Sequence, residues 1–78
     1  MDEVFDALIR RVHQCAEDGA VVTVKIDGER MLAGVPAVYT VVISGGRLSR
    51  DDFYRRDGRD IAELVQGALD YYQSARSR

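Results

Sequence analysis

Residues 20–46, AVVTVKIDGERMLAGVPAVYTVVISGG, decide the fold of this chain, because they hold two runs rich in β-branched residues with turn-forming residues between them. Such residues suit an extended, pleated strand, and we expect one strand over Ala20–Ile26 and another over residues 38–44. Gly34-Val35-Pro36 interrupts the sheet between them, since proline has no N–H to donate. Gly45-Gly46 then predicts a hairpin turn. The centre of the domain is therefore expected to be an antiparallel sheet.

The pair Asp27-Gly28 is a strong signal for a two-residue hairpin, because both central residues of such a turn take positive φ. This turn predicts a register in which Val24 lies opposite Met31. It also places Lys25 opposite Arg30, a like-charge pair that is unfavourable when both side chains are exposed. A nearby carboxylate or a longer loop would relieve that repulsion.

Residues 2–18 have the periodicity of an amphipathic helix, with apolar side chains every three or four positions. The apolar stripe consists of Phe5, Leu8, Ile9, Val12, Cys15 and Ala16. Asp2 can cap the start of the helix, and Gly19 suits the left-handed conformation that often ends one. We expect this helix to pack its apolar stripe on the sheet.

A second helix is predicted from about residue 60 to residue 74. Asp60 and Glu63 resemble a capping box, and apolar residues follow at helical spacing. Gly67 lies in the middle of this helix, where glycine costs about 1 kcal/mol relative to alanine. We interpret this glycine as a sign that the helix packs closely on the sheet.

The segment 47–59 has two interpretations. As a strand, it places Leu48 beside Ile43. As a helix, it carries Asp52 in a position that resembles a capping box. We favour an edge strand that becomes irregular near residues 57–58.

The predicted fold is a single small α+β domain over residues 1–78, with an N-terminal helix, an antiparallel β-meander of three to four strands and a C-terminal helix. A chain of 78 residues is too short for two cores, and its 46% hydrophobic content is too high for disorder. Short connections favour antiparallel neighbours, and helices at both ends of the chain can lie together on one face of the sheet.

The second face of this sheet is not cleanly polar. In the second strand, Tyr39, Val41 and Ile43 lie on one face, and Val38 and Val42 lie on the other. Two further apolar residues are predicted on whichever face lies opposite Val22 and Val24, namely Val21 and Leu32. An uncovered apolar patch is typical of an interface, so we predict a homodimer or docking on a protein partner. The alternative is that an end helix or the segment 47–59 covers this face.

The charge balance excludes a polycation held on DNA or anionic lipid by bulk charge, because 11 basic residues stand against 13 acidic ones. No apolar run approaches the roughly 20 residues of a membrane span, and no signal peptide is recognisable. The single cysteine, Cys15, cannot form an internal disulfide, which favours a reducing compartment. We therefore expect a cytoplasmic protein that does not contact a membrane.

Catalytic, cofactor-binding and metal-binding residues are not predicted. His13 and Cys15 are two residues apart on a helix, which points their side chains roughly 200° apart. In that geometry they cannot share a proton or a metal ion. Gly45-Gly46 lacks the spacing of a phosphate-binding loop. We expect Cys15 in the core, His13 at the surface, and neither an enzymatic activity nor a cofactor.

The densest charged stretch, residues 47–59, is the predicted partner-binding surface, because arginine and tyrosine are typical of protein–protein hot spots. The candidate residues are Arg47, Arg50, Asp51, Asp52, Tyr54, Arg55, Arg56 and Arg59. Basic residues with aromatics can also follow a nucleic-acid backbone, but carboxylates nearly neutralise this run. A third interpretation is a charged edge that prevents sheet-to-sheet aggregation.

The order of helix, β-meander and helix resembles the double-stranded-RNA-binding domain over most of the chain. That family contacts phosphates through a lysine-rich patch at the start of its last helix. The corresponding residues here, 60–63, are Asp-Ile-Ala-Glu. The resemblance therefore implies the topology and does not carry over the binding function, although a nucleic-acid-binding module stays an alternative.

In size, slight acidity, α+β composition and lack of catalytic residues, the chain also resembles the small phage-encoded anti-CRISPR inhibitors. This resemblance implies a stoichiometric inhibitor that occludes a nucleic-acid-handling complex. Its protein partner would be a CRISPR effector subunit, and its location would be the cytoplasm of the host cell. Small antitoxins and immunity proteins share these features, so a dimer of that type is a further alternative.

Overall fold

Three helices and three strands follow one another along residues 3–76, the part of the chain that the computed structural model describes. In chain order they are α1 (Glu3–Glu17), β1 (Ala20–Ile26), α2 (Gly28–Leu32), β2 (Tyr39–Gly45), β3 (Phe53–Gly58) and α3 (Ile61–Arg76). The predicted α+β class, with a helix at each end and an antiparallel sheet between them, is confirmed. The predicted cap Asp2 lies outside the described residues.

The sheet has the strand order β1-β2-β3, and neighbouring strands are antiparallel. β1 pairs with β2 from Ala20 opposite Gly45 to Ile26 opposite Tyr39. α1 packs against β1, while α3 packs across β2 and β3 and against α1. Both helices therefore lie on one face of the sheet, as predicted. The core lies between them and the sheet, where Ile43 is fully buried.

The connection between β1 and β2 differs from the predicted two-residue hairpin. Asp27 is the N-cap of α2, and its carboxylate accepts backbone N–H groups of the first turn. Residues 29–32, which follow Gly28, are better helix formers than strand formers, so the aspartate before them caps a helix. The predicted pairs Val24–Met31 and Lys25–Arg30 are wrong, because β1 pairs with β2 instead.

Asp27 also lies between two cations. Its carboxylate is 3.7 Å from Nζ of Lys25 and 3.5 Å from Nε of Arg30. Arg30 in turn donates to the carbonyl of Ala37 at 2.8 Å, which ties α2 to the chain that leads into β2. Lys25 and Arg30 are thus separated by a longer connection and share a carboxylate. These are the two ways in which the sequence predicts relief of their repulsion.

The segment 47–59 contains an edge strand, as favoured from the sequence, but its irregular part comes first. Residues 46–52 form a loop, and β3 follows it without a break through residues 57–58. The irregularity predicted near residues 57–58 is therefore wrong.

Leu48 explains why the loop replaces a tight turn. The residue opposite Ile43 is Tyr54, so the predicted place of Leu48 beside Ile43 is wrong. Gly45 and Gly46 take φ of 74° and 58°, and the chain that follows them brings the Leu48 side chain into the core. Burying a leucine is worth about 1.5–3 kcal/mol, which favours the longer loop.

α3 begins and packs as predicted. The Asp60 carboxylate accepts the N–H of Glu63 at 3.2 Å, which satisfies a donor in the first turn. At Gly67 a β-carbon would lie 2.5 Å from the hydroxyl oxygen of Tyr54 on β3. The glycine in the middle of α3 therefore permits a close approach of the helix to the sheet.

Candidate protein interface

One face of the sheet is turned away from α1 and α3, and we call it the open face. Successive side chains of a strand point to opposite faces, and the strand register aligns the open-face residues in three rows. The rows, each taken from β1 to β3, are Val21, Ser44 and Phe53; Thr23, Val42 and Arg55; and Lys25, Thr40 and Asp57. No helix within residues 3–76 packs on this face.

The first row gives the open face an apolar end. Val21 and Phe53 are 61% and 59% exposed, and the half-buried Val42 lies beside them at the centre of the face. The prediction that the second face is not cleanly polar is confirmed, although its apolar residues are confined to Val21, Val42 and Phe53. Within the described residues neither an end helix nor the segment 47–59 covers this face. The predicted place of Leu32 on this face is wrong, because α2 rather than a strand carries it.

The third row gives the open face a charged end. Thr40 Oγ1 donates a hydrogen bond to Oδ1 of Asp57 at 2.5 Å. This bond is the main reason why the pKa of Asp57 lies below its ordinary value, and nearby cations, Arg55 first, lower that pKa further. Lys25 lies in the same row on the far side of β2. The row therefore presents opposite charges at its two ends near neutral pH.

The eight predicted partner-binding residues do not lie on one surface. Arg55 is on the open face, whereas Tyr54 and Arg56 are on the helix-facing side of β3. The other five lie in the loop before β3 or directly after the strand: Arg47, Arg50, Asp51, Asp52 and Arg59. Of the eight, the structure therefore places one on the open face, two on the opposite face of β3 and five in the segments that flank the strand.

Several of these residues are engaged within the molecule. Arg47 forms a 3.0 Å salt bridge to the aspartate that follows α1. Asp52 accepts a hydrogen bond from the hydroxyl of Tyr71. The Tyr54 ring packs on the Tyr71 ring with 5.4 Å between centroids, and the Arg56 guanidinium lies 5.9 Å from the centre of the Tyr54 ring. These contacts hold β3 and the loop before it on the rest of the fold.

A second apolar surface surrounds α2, and the sequence did not predict it. Leu32 is 92% exposed, and Ile26 and Met31 are also largely exposed. A cavity of about 550 Å³ lies beside them, lined by residues 34–36 and by Arg59 among others. The signal in the sequence is an apolar pair on a helical turn that is too short to bury it.

The two residues considered for catalysis are placed as predicted. Cys15 is buried in the core, and burial, followed by the nearby carboxylate of Asp18, raises the pKa of its thiol. The nucleophilic thiolate is therefore disfavoured. His13 is exposed on α1. A cavity of about 360 Å³ borders Cys15, lined by Tyr72 and Gln73 of α3 among others.

Neither a metal centre nor a membrane-spanning helix is found in the described part of the chain. Within residues 3–76, no group of His, Cys, Asp or Glu side chains could hold a metal ion. No helix in the same range has the length and apolar character needed to cross a bilayer. Comparisons with protein-family models, curated proteins and solved structures found no match.

Proposed function

We propose that this chain is a non-enzymatic protein-binding module that acts by stoichiometric contact through the open face. The observation that supports this function is the apolar end of that face. Fully burying a valine or phenylalanine side chain is worth about 1.5–3 kcal/mol. Because Val21 and Phe53 are 61% and 59% exposed, much of that free energy is unrealised in the single chain. A docked protein would recover it.

The charges of the open face favour a protein over a nucleic acid as the partner. Lys25 and Arg55 are accompanied by Asp57, an anion that a phosphate backbone would repel. The net charge of −2 adds to that repulsion. Mixed charges beside apolar side chains are typical of protein interfaces. RNA binding has less support, since the acidic residues Asp60 and Glu63 occupy the start of α3.

A more specific form of this proposal is an inhibitor of anti-CRISPR type that occludes a CRISPR effector subunit. Its basis is the resemblance in size, acidity and fold class. The effector would contact exposed charged residues in the segments that flank β3, such as Arg50, Asp51 and Arg59. In bacteria with an active CRISPR system, expression of the chain should restore transformation by a targeted plasmid. Unchanged interference would remove this specific form and leave the binding module.

Photo-crosslinking from the open face tests the proposed function. A benzophenone amino acid replaces Phe53 in the full chain, inside cells that make the protein. The matched control carries the same group in place of His13, which is exposed on α1, on the other side of the sheet. We expect one protein adduct of defined mass from position 53 and no adduct of that mass from position 13.

The same experiment separates the alternatives. Position 53 crosslinked to nucleic acid alone, together with a gel shift that weakens steeply with salt, would favour a nucleic-acid-binding module. The absence of any adduct at position 53 would contradict the proposed function. A toxin found in the adduct would identify the antitoxin-type alternative.

A further inference from the structure

We propose that the partner of the open face is a second copy of this chain, related to the first by a two-fold axis parallel to β2. This inference rests on the proposed function, because it names the occupant of the same surface. A two-fold interface uses one patch on both subunits, so that patch must be complementary to itself. The apolar row and the charged row of the open face have this property about one axis, and in the middle row Arg55 then lies over Thr23, whose hydroxyl can accept a hydrogen bond from it.

The strand-parallel axis exchanges the two edge strands and preserves the rows. β1 of one copy then lies over β3 of the other. At the apolar end, Val21 lies over Phe53 of the second copy. At the charged end, Lys25 lies over Asp57 of the second copy. Symmetry makes each contact twice, and Val42, in the middle strand, packs against its own counterpart.

The two-fold axis that runs across the strands gives the opposite result. It aligns each strand with its own counterpart but reverses the rows, which places Lys25 over Val21 and Asp57 over Phe53. Each charge would then leave water against an apolar side chain and gain no counter-ion, which is costly. The distribution of charge on the open face therefore selects the strand-parallel axis.

The geometry of packed sheets suits this arrangement. Sheets that pack face to face lie about 10 Å apart, with their strands within about 30° of each other. A strand-parallel axis keeps the strand directions aligned, and a lysine opposite an aspartate can span the gap. Lys25 also lies 3.7 Å from Asp27 of its own chain, but its side chain is 66% exposed. Exposed pairs of that kind contribute about 0–1 kcal/mol, so Lys25 can turn to a second partner.

The open face is small, and the dimer is therefore expected to be weak. Three strands about 4.8 Å apart form a strip about 10–15 Å wide. A standard stable interface buries about 800 Å² per partner, which is more than three rows of three residues provide. We expect a Kd in the micromolar range, about 1–100 µM, and the measurement has to extend above it.

Reversal and exchange of the charged pair test the inference. Lys25→Asp places acids on both sides of the interface, and Asp57→Lys places bases there, at both symmetric contacts. Each single variant should raise the Kd at least about tenfold, and the double variant K25D/D57K should return it to within about threefold of the parent value. The double variant also lacks the hydrogen bond from Thr40 to Asp57, so its recovery cannot come from that bond.

Matched controls change the same charges elsewhere. Arg10→Glu and Glu17→Lys lie on α1, on the other face of the sheet, and should leave the Kd unchanged. Leu32→Glu removes the most exposed apolar side chain of the surface around α2 and should also leave the Kd unchanged. Sedimentation equilibrium from about 1 to 500 µM gives each Kd. Circular dichroism and thermal unfolding verify that every variant is folded.

Four results would overturn the inference. The first two are a parent chain that is monomeric at about 500 µM and a dimer whose Kd is unchanged by both Lys25→Asp and Asp57→Lys. The other two are a double variant whose Kd does not return to the parent value, and a dimer that Leu32→Glu abolishes instead. Failure here is distinguishable from failure of the proposed function. A monomer that still crosslinks from position 53 to another protein keeps the binding module and removes only the second copy as its partner.

Discussion

The substitution Gly67→Ala has two opposite effects on the stability of the fold, at the contact between α3 and β3. Glycine costs a helix interior about 1 kcal/mol relative to alanine, so Gly67→Ala would stabilise an isolated helix by that amount. In this fold the new β-carbon would lie 2.5 Å from the hydroxyl oxygen of Tyr54 and 3.4 Å from the ring carbon that bears it. The first distance is a steric overlap, and the second is close to an ordinary contact.

The overlap should outweigh the gain in helix propensity. Adding a methyl group to a packed contact costs about 1–3 kcal/mol, so the net effect of Gly67→Ala is a loss of about 0–2 kcal/mol. Tyr54 has little room to move, because its ring packs on Tyr71 with 5.4 Å between centroids. Tyr54→Phe removes the hydroxyl. In that background Gly67→Ala should stabilise the fold by about 1 kcal/mol.

A double-mutant cycle measures this coupling between Gly67 and Tyr54. Urea unfolding of the parent, the two single variants and the double variant gives four free energies of unfolding. All four are measured at one protein concentration, so that any self-association of the chain contributes to each of them in the same way. The expected coupling is about 1–3 kcal/mol, and each kcal/mol shifts the Tm of a domain this size by about 4–8 °C. Equal stabilisation by Gly67→Ala in both backgrounds would refute the reasoning.

Three further substitutions or reactions probe the core, the charged row and the cysteine. Ile43→Ala should lower the free energy of unfolding by about 2–5 kcal/mol in urea titrations, because the side chain is fully buried; a loss below about 1 kcal/mol would contradict that packing. Thr40→Val should raise the pKa of Asp57, followed by NMR titration, because it removes the main cause of the lowered value. A carboxyl group whose pKa is lower in the folded state than in the unfolded state stabilises the fold at pH values above its unfolded pKa of about 3.9. This stabilisation is lost as the pH falls through the folded pKa. The stability difference between the parent and Thr40→Val should therefore shrink on acidification. Cys15 should react with a thiol reagent far more slowly in the native protein than in urea, since burial raises its pKa; equal rates would place it at the surface.

Elements defined by a local pattern are predictable from this sequence. The helical periodicity of α1 and the cap at Asp60 depend on neighbours within one helix, and the glycine at position 67 depends on one packing contact. The stripe of α1 is predicted less exactly, because Ile9 and Ala16 are exposed. The pair Asp27-Gly28 is different, because the same two residues can turn a hairpin or start a helix. The pairing of β1 with β2 decides between them, and that pairing depends on residues far along the chain.

The open face could be predicted as a surface but not as a set of rows. Alternation assigns Val21 and Val42 to one side of an antiparallel sheet, whereas the rows require the register. Four of the predicted partner-binding residues, Arg47, Asp52, Tyr54 and Arg56, make contacts within the molecule, and two of them do so across a long stretch of sequence. Asp52 bonds to Tyr71, 19 residues away, and the N–H of Arg47 bonds to a hydroxyl 25 residues away. No pattern within one segment reveals contacts of that range.

Tyr72 joins three segments of the chain at one end of the sheet. Its hydroxyl accepts the Arg47 N–H at 3.0 Å and donates to Asp18 at 3.4 Å, which ties α3, the loop after β2 and the turn after α1 to one side chain. At the opposite end of the sheet, the connection 27–38 is held largely by bonds within itself. A reporter peptide inserted at Gly34 would disturb those local bonds alone, whereas one inserted beside Tyr72 would separate three segments at once.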